Sequence, residues 1–77
     1  MDRKEATLIA KETYAEHDAE IESGIEYNGT FFFFEKNGDS FDPTQAALVV
    51  DDFGKRYEAC NPATEAFAKI MAGEKFI

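Results

Sequence analysis

From Ala6 the apolar or small side chains recur at Ala6, Ile9, Ala10, Thr13, Tyr14 and His17, the i, i+3, i+4 rhythm of an amphipathic helix. This predicts a first helix over about residues 3–16. Glu12, Glu16 and Glu20 would stack at i, i+4 on its far end and repel by about 0.2–0.5 kcal/mol per pair, so helix should give way there. The period then changes from 3.6 to 2. Glu16, Asp18, Glu20, Glu22 and Glu26 take the even positions, and His17, Ala19, Ile21, Ser23, Ile25 and Tyr27 the odd ones, as in a half-covered strand. Asn28 and Gly29 follow, the pair that best tolerates the positive φ angles of a type I′ hairpin turn. The two-residue loop sets Tyr27 opposite Thr30, Ile25 opposite Phe32 and Ser23 opposite Phe34. On the other surface it sets Glu26 opposite Phe31, Gly24 opposite Phe33 and Glu22 opposite Glu35. A second pair, Asn37 and Gly38, predicts a short third strand around Asp39–Phe41, with Phe34 opposite Phe41.

Two further helices are expected. Asp42 as N-cap, Pro43 at the first helical position and Gln45 three residues after the cap mark a helix over about residues 43–57, with a buried stripe of Ala46, Val49, Val50, Phe53 and Tyr57. Asn61 and Pro62 open a third, with Ala63, Ala66, Phe67, Ile70 and Met71 facing inward and Gly73 as its stop. The fold class is therefore α+β: an N-terminal helix, a three-stranded antiparallel meander and two C-terminal helices packed on one sheet face, in one small domain spanning residues 1–77.

Phe31, Phe32, Phe33 and Phe34 run in succession, and alternation sends two to each face. Phe32 and Phe34 join Ile25, Tyr27 and Phe41 in the expected core. Phe31 and Phe33 fall on the acidic face beside Gly24, Glu22 and Glu26. The first helix crosses over and covers them, or Phe33 lies over Gly24 as a cover for its bare backbone, or they form a subunit or partner interface.

Composition narrows the function. With 16 acidic and 8 basic side chains the net charge is −8, which disfavours direct binding to nucleic acid or an anionic membrane and favours a partner with a basic surface. No Lys or Arg lies between Lys11 and Lys36, whereas Glu12, Glu16, Asp18, Glu20, Glu22, Glu26 and Glu35 all do. The same distribution serves as a solvated face that keeps a small protein soluble. Eight Phe against two Leu and two Val make a core of a few large rings. A chain this short buries only about 60–65% of its unfolded surface, so association would help it. Charged sequence at Asp2, Arg3, Lys4 and Glu5 and a single cysteine point to a reducing, cytoplasmic location.

Catalysis has little to work with. His17 and Asp18 point to opposite faces of a strand, Cys60 has no evident base, and Asp39, Asp42, Asp51 and Asp52 do not match a calcium-loop spacing. Asn28, Gly29 and Thr30 fit the glycosylation pattern, but the turn accounts for them. No phosphate loop or dinucleotide fingerprint occurs, so no enzyme activity, cofactor or metal is expected.

In size and charge the chain resembles the small acidic inhibitors encoded by phages and mobile elements, a similarity of composition. It implies an interaction protein acting as a nucleic-acid mimic. Strand carboxylates about 6.5–7 Å apart, near the spacing of successive phosphates, would occupy a basic groove on a nucleic-acid-binding protein. The alternative is a self-associating structural or accessory module, a homodimer through Phe31 and Phe33. The interface expected from either reading is built from Phe31, Phe33, Glu20, Glu22, Glu26 and Glu35.

Overall fold

A computed structural model describes residues 1–36 and 46–77. The chain is α+β, with α1 (Arg3–Ala15), β1 (Ile21–Tyr27), β2 (Thr30–Glu35), β3 (Ala46–Asp51), β4 (Gly54–Ala59), α2 (Glu65–Ala72) and β5 (Glu74–Lys75) in order. The strands form one antiparallel sheet in the order β4-β3-β2-β1-β5.

α1 starts where the Asp2 carboxylate accepts the Glu5 N–H at 2.8 Å. It ends within the expected acidic stretch. Asp18 adopts a positive φ of 56°, and the Ala19 N–H turns back to the Tyr14 carbonyl at 2.9 Å, closing the orphan carbonyls of the last turn. The Asn28-Gly29 turn has φ of 46° and 80°, and the expected register holds from Tyr27↔Thr30 to Ser23↔Phe34. A bulge between Ile21 and Ser23 then pairs Glu35 with Ile21 instead of Glu22. Its physical effect is to turn Ile21 to the face of Phe31 and Phe33, where it packs against the core.

The expected helix over 43–57 is corrected. Residues 46–59 form the β3–β4 hairpin, which joins β2 through Phe31↔Val50, Phe32↔Val49 and Phe33↔Leu48. The apparent stripe Ala46, Val49, Val50, Phe53 and Tyr57 arose because a continuous apolar run satisfies any period. Ala47, Leu48, Val49 and Val50 are all buried, the signature of a strand covered on both faces, and the two β-branched residues favour it. Phe53, assigned to the buried stripe, sits in the hairpin loop and is 96% exposed. The expected third strand at Asp39–Phe41 and the Asp42, Pro43, Gln45 cap lie outside the described residues. The final helix is capped by Thr64, whose Oγ1 accepts the Phe67 N–H at 3.2 Å. Asn61 instead accepts the Ala63 N–H, in the turn before it.

The two helices cover opposite faces of the sheet, where both C-terminal helices were expected on one. Ala6, Ala10 and Tyr14 of α1 pack on Phe31, Phe33, Leu48 and Val50, and Ala66 of α2 packs with Phe32, Ala47 and Val49. Small alanines on the helices against large rings on the strands let the layers approach closely. α2 carries the chain from the β4 edge to the opposite edge, where β5 pairs with β1 through Ile25↔Lys75 and Glu26↔Glu74. Phe76 then meets the edges of Phe31 and Phe33 at 6.0 and 5.9 Å between centroids. Gly24 permits this. A Cβ there would lie 3.0 Å from the Phe76 ring and 3.2 Å from Ile77 and Phe33.

Candidate functional site

Phe31 and Phe33 are fully buried beneath α1 and Phe76, so the expected aromatic docking patch is corrected. The parity was right, since Phe32 shares a face with Ile25 and Tyr27 while Phe31 and Phe33 share the other. The error lay in leaving one face uncovered. α1 follows the competing reading and lies over the two rings.

The four expected carboxylates separate into two groups. Glu26, half-buried, is bound by Arg3, which also reaches Glu74 at 3.1 Å and stacks 5.1 Å over the Phe76 ring. The hydrogen bond to Glu26 raises the Arg3 guanidinium pKa. Arg3 thus ties α1 to β1 and to the C-terminal segment, and Glu26 is engaged there instead of in the acidic surface. Nothing in the linear pattern announces this cluster, because Arg3 lies on a polar helix face far in sequence from both partners.

Glu20, Glu22 and Glu35 are exposed. Glu20 and Glu35 line a shallow recess of about 340 Å³ with Asp18 and Lys36, where the α1–β1 turn meets the end of β2. Lys36 makes one exposed ion pair with Glu20 at 3.8 Å. Glu16 and Glu35 also act on Tyr57 of β4, whose hydroxyl pKa is raised by burial first and then by the field of these two carboxylates. Tyr14 is raised further, mainly by burial, and its hydroxyl donates to the Phe33 carbonyl at 3.1 Å. The acidic end therefore continues onto the exposed ring of Tyr57. Sequence reasoning missed this residue by placing it in a helix core.

On the α2 face a groove of about 370 Å³ lies between β3, β4 and the start of α2. Its floor includes Asp51, nearly buried, which accepts from the Phe53 N–H at 2.9 Å and from Arg56 at 3.1 Å. Arg56 also donates to Glu58 at 3.1 Å. The hydrogen bond to Glu58, then that to Asp51, raises the Arg56 pKa. These three groups satisfy one another. Among the described residues no buried side-chain polar atom lacks a partner, and no three His, Cys, Asp or Glu side chains gather as a metal site.

His17 is exposed in the turn after α1. Burial pushes the half-buried Cys60 thiol up, opposed by a hydrogen bond with the Ala47 backbone, so it is shifted away from the reactive thiolate. No helix among the described residues is long and apolar enough to cross a membrane. Compared with protein-family models, curated proteins and solved structures, the chain matches none.

Proposed function

We propose that this chain is a small protein-binding domain whose acidic end captures a partner with a basic surface. The observation that supports this reading is the gathering of Asp18, Glu20 and Glu35 around one recess where the α1–β1 turn meets the end of β2, with exposed Glu16 and Glu22 close by in sequence and Lys36 offsetting Glu20. Such a patch steers a basic partner and speeds encounter, and it loses strength as salt screens it. The fitting partner is a nucleic-acid-binding protein whose groove accepts phosphates, with the carboxylates standing in for them. The bulge at Glu22 breaks strict strand spacing, so the mimicry is of charge density more than of phosphate repeat.

The test is affinity capture from an extract of the source organism. Wild type is compared with a Glu16→Gln, Glu20→Gln, Glu22→Gln, Glu35→Gln variant. The expected result is a basic protein held by wild type, released by about 0.3 M salt and by competing DNA, and lost in the variant. Identical captures by both proteins contradict the reading.

A further inference from the structure

β4 (Gly54–Ala59) forms one edge of the sheet, paired with β3 on one side and with no other described strand. Its residues are exposed except for half-buried Glu58. The hairpin determines which backbone groups point outward. Asp51 and Gly54 flank the two-residue loop Asp52–Phe53, and the closing pair of such a loop exchanges both of its backbone hydrogen bonds. Alternation then makes Val49↔Arg56 and Ala47↔Glu58 the hydrogen-bonded pairs with β3. Lys55, Tyr57 and Ala59 are left with N–H and C=O groups aimed away from the sheet. An edge of this kind is a template for another strand.

The strand's own charges select the occupant. A second copy of β4 can lie antiparallel to the first about a two-fold axis normal to the sheet, keeping corresponding faces together and pairing outward group with outward group. Three central registers meet that condition. One sets Arg56 opposite the partner's Arg56, and another sets Glu58 opposite the partner's Glu58, each bringing like charges face to face. The third centres on Tyr57. Tyr57 faces the partner's Tyr57, Arg56 faces the partner's Glu58, and Glu58 faces the partner's Arg56. The charged pairs then occupy non-hydrogen-bonded positions, where Cα atoms are about 4.5 Å apart and side chains approach most closely.

We propose that the chain forms a two-fold dimer by pairing β4 with β4 in the Tyr57-centred register, making one continuous sheet through both subunits. About six backbone hydrogen bonds form, two at each of the three outward-facing positions. Tyr57, 53% exposed in one chain, is covered by its counterpart across the axis. Arg56 is bound on the α2 face by Asp51 and by Glu58 of its own chain, both at 3.1 Å, so the crossed pairs extend a charge network that each chain already carries. A contact of this length buries less than about 1,200 Å², the range of weak and reversible association. The net charge of −8 on each chain opposes it at low salt.

Sedimentation equilibrium up to about 1 mM chain in about 0.15 M salt reads the association. Wild type should dimerise reversibly. Arg56→Glu and Glu58→Arg, each alone, place like charges at both cross-strand positions and should raise the dissociation constant about tenfold or more. An equimolar mixture of these two variants restores opposite charges at both positions and should associate at least as well as wild type. Tyr57→Pro removes an outward donor without removing a hydrogen bond to β3, and should abolish dimerisation while the circular dichroism spectrum stays native. That variant decides the matter if Arg56→Glu, set beside Asp51 and Glu58, fails to fold. A wild type that stays monomeric at about 1 mM, a Tyr57→Pro protein that dimerises as before, or a mixture no stronger than its components overturns the proposal.

Discussion

Replacing Phe33 by Ala tests whether the aromatic tract is core or contact surface. Phe33 is wholly buried, its ring edge-on to Phe76 at 85° between planes, and its neighbours in the cluster include Ala10, Tyr14 and Leu48. A buried Phe removes about 150–250 Å² from water. At about 25 cal/mol per Å² that is about 4–6 kcal/mol, an upper figure because the unfolded chain is already partly compact. The Cβ retained in Ala lowers the loss and the cavity raises it, giving about 3–5 kcal/mol. A 77-residue domain has about 4–12 kcal/mol in all, so the variant should stand close to unfolding at 25 °C. Urea unfolding followed by far-ultraviolet circular dichroism measures it, with Phe53→Ala as the internal control. Phe53 is 96% exposed, so its truncation should change stability by less than about 0.5 kcal/mol. A Phe33→Ala loss under about 1 kcal/mol, or one no larger than the control's, refutes the assignment of this ring to the core.

Tyr14→Phe removes the hydrogen bond to the Phe33 carbonyl and should cost about 1 kcal/mol near pH 7 by the same urea assay. Burial raises the Tyr14 pKa above its ordinary value of 10.0, so above that pH the unfolded chain releases a proton that the folded chain retains. Wild-type stability should therefore fall as pH rises past about 10, and the Tyr14→Phe curve should fall less steeply. Parallel curves would contradict the burial of that hydroxyl. Thr64→Ala deletes the acceptor for the Phe67 N–H at the start of α2 and should lower stability by about 1 kcal/mol, whereas Asn61→Ala, one turn earlier, should cost less. Equal losses would place the cap at Asn61 instead.

The sequence made the N-terminal half legible because its signals are local. The Asn28-Gly29 turn, with its positive φ angles, fixed the register and hence which Phe rings share a face. The acidic run after Tyr14 marked the end of α1 to within a residue. Two kinds of information were not local. Coverage of the second face depends on α1 and Phe76 arriving from opposite ends of the chain, and no pattern within β2 encodes it. The Ala47–Val50 run carries no period, so the cap-like residues before it suggested a helix although two adjacent β-branched residues favour strand. Four successive Phe in β2 and five successive apolar residues, Ala46–Val50, in β3 were together the available clue. Strands apolar on both sides need a layer on each side. Of the candidate site, Glu20, Glu22 and Glu35 were legible from charge spacing, while the diversion of Glu26 to Arg3 and the exposure of Tyr57 were tertiary outcomes.

The central claim is that the sheet is covered on both faces, α1 over Phe31 and Phe33 and α2 over Phe32, so that the aromatic tract is core and not a docking surface. Nuclear Overhauser effects between assigned methyl and ring protons test it most directly. Cross-peaks are expected from the α1 methyls of Ala6 and Ala10 to ring protons within the Phe31, Phe33, Tyr14 cluster, and from the Ala66 methyl to Phe32. Finding the Phe31 and Phe33 rings without contacts to α1 and open to a soluble paramagnetic probe would contradict the account.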